Sequence, residues 1–280
     1  MRFPVTPIEL SGGVSGAVAR LDLIHPQLSG NKLFKLWYYL ERYRTGGYQR
    51  LVTFGGAYSN HLLATAYACH ALGIPCTGIV RGEAPAQPGP TLVDCARYGM
   101  ELRFVSRQEY KEGAFGESGD PRELLIIPEG GAGEDGIRGA SLICKAIPGF
   151  GEFTHILCAV GTGTTIAGIK RGLHPGQSVI GIPVLKIPPA SRTAFGEGLQ
   201  LSFDYAFGGY ARWNPELIAF MNRFFQATEI PTDFVYTAKA AFALYDLAAN
   251  DFFPKDSRIL LIHTGGLQGN RSLPPDLLGF

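Results

Sequence analysis

The 280-residue sequence lacks the patterns that mark membrane, secreted and nucleic-acid-binding proteins. It has no run of about 18 apolar residues and no signal-peptide pattern after Met1. Its 25 Lys and Arg residues are matched by 24 Asp and Glu residues, so no strongly basic surface is expected for binding nucleic acid. We therefore expect a soluble, cytoplasmic protein that binds neither a membrane nor nucleic acid.

The sequence also lacks the closely spaced cysteine and histidine groups that bind metal ions. Its five cysteines are scattered, and four of them lie in apolar stretches. Buried thiols are common in intracellular proteins, whereas disulfides are typical of secreted ones. We therefore predict buried, reduced cysteines and no metal site. The cysteines are Cys69, Cys76, Cys95, Cys144 and Cys158.

Glycine, by contrast, is abundant, with 37 residues that concentrate in short clusters. The clusters fall where predicted strands are followed by predicted helices, and this alternation runs through most of the chain. Alternating strands and helices indicate an α/β fold with mostly parallel, open sheets flanked by helices. Turns of this kind are where α/β enzymes bind phosphate groups.

The order of the predicted elements favours two domains. Residues 47–148 carry their own series of strand–helix units. This predicts a small domain inserted into a large one, which residues 1–46 and 149–280 would form. In the large domain we predict strands over residues 18–23 and 258–263, helices over 215–228 and 237–250, and irregular structure over 190–213.

One lysine stands at the start of a predicted helix. The stretch Ser29-Gly30-Asn31-Lys32 precedes apolar residues at positions 33, 36, 37 and 40, which recur at helical spacing. The positive end of the helix dipole disfavours an ammonium ion there, and a neutral lysine amine forms Schiff bases with aldehydes. Lys32 is therefore a candidate nucleophile, although a solvated lysine in a first helical turn would give the same pattern.

Gly161-Thr162-Gly163-Thr164-Thr165, here called the threonine loop, connects the clearest predicted strand to a helix. Glycine lets the backbone approach an anion, and the hydroxyls and the N–H groups of the helix start can donate to it. No Lys-Ser/Thr pair follows, which excludes a triphosphate-binding P-loop, and the dinucleotide-binding pattern is incomplete. The loop predicts a site for one phosphate monoester, with a simple tight turn as the alternative.

A second glycine turn, Gly55-Gly56-Ala57-Tyr58-Ser59-Asn60-His61, ends in polar residues. Ser59 and Asn60 could bind a carboxylate or a ring hydroxyl, but both residue types also cap helices, so both interpretations stay open. A reactive lysine, a monophosphate site and a carboxylate-binding turn are together what catalysis with pyridoxal 5′-phosphate requires.

The chain resembles the pyridoxal-phosphate family of 1-aminocyclopropane-1-carboxylate deaminase and D-cysteine desulfhydrase, in the tryptophan synthase β-like group, fold type II. The resemblance spans nearly the whole chain, which is shorter than typical members. It implies a two-domain enzyme with pyridoxal 5′-phosphate as cofactor, a small amino-acid substrate and a homodimer. The matching stretches are Gly30-Asn31-Lys32, the second glycine turn, the threonine loop, Val235-Tyr236-Thr237-Ala238-Lys239 and His263-Thr264-Gly265-Gly266.

The resemblance implies that five parts of the chain bind the cofactor, and Thr237 is one of them. Lys32 would form the Schiff base and move the α-proton of the substrate. Asn60 would bind the ring hydroxyl, the threonine loop would bind the phosphate, and Thr264 would lie near the pyridine nitrogen.

Other matching residues would contact the substrate. Ser59 and Asn60, with His61 beside them, would face its carboxylate or Cα. Tyr236 matches an active-site tyrosine of the family. Gly208-Gly209-Tyr210-Ala211 resembles, less closely, the stretch that holds a second one.

One departure from the family pattern favours one activity over the other. The deaminase has a glutamate after the tyrosine that matches Tyr236, and this chain has Thr237 there. A carboxylate keeps the pyridine nitrogen protonated and makes the ring a strong electron sink, whereas a threonine only hydrogen-bonds. Ring opening to 2-oxobutanoate depends on a strong sink. We therefore predict β-elimination from D-cysteine or a related D-amino acid to pyruvate, ammonia and sulfide.

Three alternatives stay open from the sequence. The first is ring opening of 1-aminocyclopropane-1-carboxylate. The second is a nucleotide-binding or regulatory domain that uses the threonine loop without chemistry, which leaves Lys32 and the second glycine turn without a purpose. The third is a relative that binds the cofactor without turnover.

Overall fold

The computed structural model of the protein describes residues 3–25, 28, 30–113, 120–186 and 199–280. The strands are β1 (Val5–Ile8), β2 (Ser15–Arg20), β3 (Arg50–Gly55), β4 (Cys76–Arg81), β5 (Glu101–Val105), β6 (Leu124–Ile127), β7 (His155–Val160), β8 (Ser178–Pro183), β9 (Gln200–Leu201) and β10 (Arg258–His263). The α-helices are α1 (Asn31–Thr45), α2 (Asn60–Leu72), α3 (Pro90–Arg97), α4 (Arg107–Glu112), α5 (Glu134–Ala146), α6 (Thr164–Arg171), α7 (Pro215–Thr228) and α8 (Thr237–Ala249). Short 3-10 helices cover Leu21–Leu23, Pro121–Glu123, Glu129–Gly131, Phe150–Glu152 and Leu267–Ser272.

The chain divides into two compact units. The first unit consists of Met1–Ile24, Ser29–Asn31 and Ala140–Phe280, and the second of His25–Leu28 and Lys32–Gly139. After its first residue, α1 therefore belongs to the second unit, whereas the sequence prediction grouped that segment with the large domain. The predicted domain limits stay a prediction.

The first unit is built on a six-stranded sheet in the order β1-β2-β10-β7-β8-β9. β1 and β2 are antiparallel, and the other neighbouring strands are parallel. Helix α8 packs against β7, and their shared core includes Leu157, Ala240 and Leu244, which are almost fully buried. Because β7 and β10 are parallel neighbours, the segments after Val160 and His263 leave the sheet at the same edge.

The second unit is built on a four-stranded parallel sheet in the order β5-β4-β3-β6. Helix α2 packs on β3 and is buried around nearly its whole circumference until its last turn. The core of the unit includes Leu51, Leu62, Val80 and Ile127. The second glycine turn thus follows a strand with a parallel neighbour on each side.

The predicted α/β class, with mostly parallel sheets and flanking helices, is confirmed. The predicted helix over 215–228 and strand over 258–263 have the predicted bounds, and the last predicted helix ends one residue early, at Ala249.

Two sequence predictions need correction. The strand predicted over residues 18–23 is observed at Ser15–Arg20. Each residue of the observed strand pairs with a residue of β10, and the pairing ends at Arg20. The chain then turns, and the Arg20 guanidinium donates to the Asp22 carboxylate. Within the segment predicted to be irregular, Gln200–Leu201 forms β9 beside β8, and residues 190–198 lie outside the described residues.

All five cysteines are buried free thiols, as predicted. Burial raises the pKa of Cys95 and of Cys144 to about 12, so both thiols stay protonated at neutral pH. Among the described residues, no helix is both long and apolar enough to cross a membrane. The same residues contain no group of three His, Cys, Asp or Glu side chains that could hold a metal ion.

Candidate active site

The threonine loop follows β7 and leads into α6. Gly163 precedes the helix with a φ of 84°, a left-handed conformation that glycine adopts without a steric penalty. The N–H groups of the first turn have no acceptor within the helix, as at every helix start. The hydroxyls of Thr162 and Thr164 lie 3.0 Å apart, and Thr164 and Thr165 are buried. The loop therefore gathers hydroxyl and N–H donors, as a phosphate site requires.

Asn31 joins the threonine loop to the segment after β10. Its side-chain amide donates to Thr165 Oγ1 at 2.7 Å, and its backbone N–H donates to the Thr264 carbonyl at 3.1 Å. Gly30 before it has a φ of 70°, and a Cβ there would overlap that same carbonyl. No local sequence pattern indicates the contact with Thr165, because the two residues are 134 positions apart. Ser29 lies outside the described residues.

The two predicted tyrosines lie together in the first unit. The Tyr236 hydroxyl donates to the Tyr210 hydroxyl at 3.4 Å, and the ring centroids are 6.0 Å apart. Tyr210 is 43% exposed. A Cβ on Gly161 would lie 3.2 Å from the Tyr236 ring, so Tyr236 covers the first residue of the threonine loop. We call Tyr210 and Tyr236 the tyrosine pair.

Thr237 is the first residue of α8 and is bound to a buried carboxylate. Oδ1 of Asp233 accepts from the Thr237 N–H at 2.9 Å and from its hydroxyl at 2.7 Å. Oδ2 accepts from the N–H groups of Val235 and Tyr236. Burial raises the pKa of Asp233, and these hydrogen bonds oppose that shift. Asp233 was not predicted from the sequence, because it lies four residues before the first residue of α8 and so outside the usual capping position.

Lys32 lies in the first turn of α1, as predicted, and is partly buried. Lys35 and Tyr39 follow on the same face of the helix. The Lys35 amine donates to the Gly130 carbonyl at 3.0 Å, and the Tyr39 hydroxyl donates to the Ala132 carbonyl. These two bonds attach the segment after β6 to the helix that carries Lys32.

The second glycine turn contains a helix cap. Ser59 is the N-cap of α2, and its Oγ accepts from the Leu62 N–H at 3.2 Å. Asn60 is the first residue of the helix and is partly buried. Ser59 therefore caps the helix, as one of the two interpretations predicted. Capping does not prevent a contact with the substrate, because a hydroxyl that accepts one hydrogen bond can still donate its proton in a second one.

His61 is buried, with 2% of its surface exposed. Its Nε2 lies 2.9 Å from Thr53 Oγ1, which itself donates to the Ile127 carbonyl. The Thr53 proton is thus used, so Nε2 carries the hydrogen and Nδ1 is an acceptor. Burial lowers the pKa of His61 well below its usual value, and the charges of Lys32 and Lys35 lower it further. His61 is therefore neutral, and its hydrogen bond to Thr53 attaches the start of α2 to β3.

The residues of both units fit pyridoxal 5′-phosphate in their chemistry. The first unit offers hydroxyl and N–H donors for a phosphate monoester at the threonine loop, beside Gly161, whose missing Cβ leaves space. The second unit offers a primary amine at Lys32 for an aldehyde, and polar groups of Ser59 and Asn60 at a helix start.

Comparison with known proteins gives matches over most of the chain. Residues 4–265 match the family described as pyridoxal-phosphate dependent enzymes. A putative 1-aminocyclopropane-1-carboxylate deaminase of Thermotoga maritima is 32% identical over 281 residues, which cover 90% of this chain and 88% of the relative.

Two further relatives are similar. The bifunctional D-cysteine desulfhydrase/1-aminocyclopropane-1-carboxylate deaminase of Arabidopsis thaliana is 29% identical over 300 residues, covering 93% of this chain and 74% of the relative. The crystal structure of a homologue of 1-aminocyclopropane-1-carboxylate deaminase superposes with a TM-score of 0.80 at 26% identity. That superposition covers 96% of this chain and 91% of the other.

Proposed function

Because the chain belongs to the family of pyridoxal-phosphate dependent enzymes, we propose that it catalyses β-elimination from D-cysteine or a related small D-amino acid. D-Cysteine and one water would give pyruvate, ammonia and hydrogen sulfide. The cofactor is pyridoxal 5′-phosphate and the fold is fold type II, as the sequence predicted.

The observation that supports elimination over ring opening is the residue after Tyr236. Thr237 stands where the resemblance places a glutamate in the deaminase, and its hydroxyl proton is directed to Asp233. The carboxylate of Asp233 is itself occupied by four hydrogen bonds from the start of α8. A ring nitrogen near Thr237 would meet a hydroxyl oxygen, which supports a weaker electron sink than a carboxylate does.

When bound, the cofactor would supply an aldehyde that can react with an amine and a ring that draws electrons from the substrate Cα. We assign its phosphate to the threonine loop, its ring hydroxyl to Asn60 and its ring nitrogen to the neighbourhood of Thr264. Lys32 would hold the cofactor covalently and then accept the α-proton on Nζ.

The tyrosine pair and Ser59 are suited to handle the substrate. Ser59 accepts from Leu62 and retains its proton to donate to the substrate carboxylate. The Tyr210 hydroxyl lies beside that of Tyr236 on a side chain that is 43% exposed, and it would protonate the departing thiolate as a general acid. His61 would act indirectly, by holding in place the second glycine turn, which carries Ser59.

The test is turnover by purified protein loaded with cofactor. We expect sulfide and pyruvate from D-cysteine, with a kcat/KM that exceeds that for L-cysteine and for 1-aminocyclopropane-1-carboxylate. Lys32→Ala should lose both the near-visible absorbance of the bound cofactor and turnover, whereas Lys145→Ala, at an exposed position on α5, should keep both. Efficient production of 2-oxobutanoate would overturn the proposal in favour of ring opening, and a coloured protein without turnover would overturn it in favour of a carrier.

We also propose a homodimer that acts in the cytoplasm. The support is the family resemblance for the dimer and the composition for the compartment. Light scattering should give about twice the chain mass of 30.2 kDa, and a mass of one chain would contradict the dimer.

A further inference from the structure

Lys239 is a fully buried lysine that the proposed reaction does not use. It lies in α8 with none of its surface exposed, among alanine and leucine residues of the helix. Its amine donates to the carbonyl oxygens of Ala206 at 2.8 Å and of Gly209 at 2.7 Å. Among the described residues, the hydrogen-bond partners of this amine are carbonyl oxygens. A buried cation held in this way is costly compared with an apolar residue of the same size, so its contacts indicate a structural role.

The segment that it binds has an unusual backbone. Phe207, Gly208, Gly209 and Ala211 have φ values of 48°, 90°, 116° and 51°. Left-handed conformations cost about 1 kcal/mol or more for residues with a Cβ, so Phe207 and Ala211 need surrounding contacts to keep them there. This segment would relax to other conformations if nothing held it.

The lysine binds the two carbonyls that close the turns of this segment. The Ala206 carbonyl also accepts from the Gly209 N–H, and the Gly209 carbonyl also accepts from the Arg212 N–H. One amine therefore bridges two successive turns, residues 206–209 and 209–212, and the second turn contains Tyr210. Both carbonyls precede Tyr210, so the amine holds the backbone that leads into that tyrosine.

The same helix carries the other member of the tyrosine pair. Tyr236 immediately precedes α8 and lies three positions, close to one helical turn, before Lys239. A bond from Lys239 to the segment 206–209 therefore ties the backbone of Tyr210 to the helix start that carries Tyr236.

We infer that Lys239 is a positioning residue, which holds the 206–211 segment on α8 and thereby sets the distance between the two hydroxyls of the tyrosine pair. The importance of that distance for turnover rests on the proposed function. The positioning itself can be measured without turnover.

The first test is spectroscopic and uses protein labelled with 3-fluorotyrosine. The fluorine resonance of Tyr210 is identified by its loss in Tyr210→Phe. In Lys239→Met the Tyr210 resonance should shift or broaden while most other tyrosine resonances stay, and Lys255→Met, at an exposed position, should leave it in place. An unchanged Tyr210 resonance in folded Lys239→Met would overturn the inference. Lys239→Gln, which retains one donor, serves if the methionine variant does not fold, and it should give a smaller change.

The second test is a double-mutant cycle on turnover of D-cysteine. A displaced catalytic group costs about 10- to 100-fold in rate, so Lys239→Met should lower kcat by that factor with little change in KM. In the Tyr210→Phe background the same change should have almost no further effect. Equal effects in both backgrounds would overturn the inference. If Tyr210→Phe alone retains full activity, the proposed role of Tyr210 fails, and the fluorine resonance still decides the positioning.

Discussion

Each unit buries an ionisable side chain near predicted site residues, Lys239 in the first and His61 in the second, and these two are held in opposite ways. Lys239 in the first unit is surrounded by carbonyl acceptors, and burial lowers its pKa to about 8. His61 in the second unit is a neutral ring that donates to Thr53. Protonation of His61 at low pH should therefore destabilise the second unit near the second glycine turn. Loss of the Lys239 proton at high pH should instead stabilise the first unit. A change of pH can therefore separate the contributions of the two units.

The largest effect is expected where the first unit has no room for a side chain. Gly30→Ala should cost about 3 kcal/mol or more in unfolding free energy, because the new Cβ would overlap the Thr264 carbonyl. Gly47→Ala in the second unit is the matched control, since it has a similar φ of 72° but open space. Its cost should be about 1 kcal/mol. Urea denaturation measures both, and equal costs would show that the Gly30 contact is not a real constraint.

The next largest effect on stability is expected at the side chains that accept hydrogen bonds at helix starts, and it should be larger in the first unit than in the second. Asp233→Asn removes one acceptor oxygen from a carboxylate that receives four hydrogen bonds. Two buried donors would then face an amide, at a cost of about 2 kcal/mol. Ser59→Ala removes a cap with one bond and should cost about 1 kcal/mol. A larger stability loss in Ser59→Ala would reverse this ranking. Thermal denaturation of both variants, without cofactor, is sufficient.

These cases show which parts of the site the sequence could predict. Strand–helix alternation and glycine clusters are local patterns, so they located the threonine loop and the second glycine turn correctly. The bonds of Asn31 to Thr165 and of Lys239 to Ala206 join distant parts of the chain, and no local pattern reports them. Ser59 and His61 are near in sequence, yet one caps the helix and the other points into the core, because residues two apart lie on different sides of a helix.

The acid response of the second unit comes from His61. Its pKa in the folded protein lies well below 6.5, so the unfolded chain binds a proton near pH 6.5 that the folded chain does not. Stability should therefore fall as the pH drops below about 6.5. Hydrogen exchange of α2 and β3, measured from pH 7 to 5.5, should show this loss in the wild type and a weaker one in His61→Gln. The same slope in both would exclude His61 as its source.

The alkaline response of the first unit comes from Lys239 and falls in a different pH window from that of His61. The pKa of Lys239 is about 8 in the folded protein against a usual 10.5, so between these values the unfolded chain binds the extra proton. Stability then rises with pH in this window, because folding no longer requires the burial of a cation. Buried tyrosines with raised pKa values, such as Tyr245, oppose this trend, so the wild-type curve alone is not decisive. The difference between wild type and Lys239→Met isolates the lysine: the wild type should gain stability relative to the variant from pH 8 to 10. A constant difference would mean that Lys239 keeps its proton in the folded protein up to pH 10, and the contrast between the two units would then disappear.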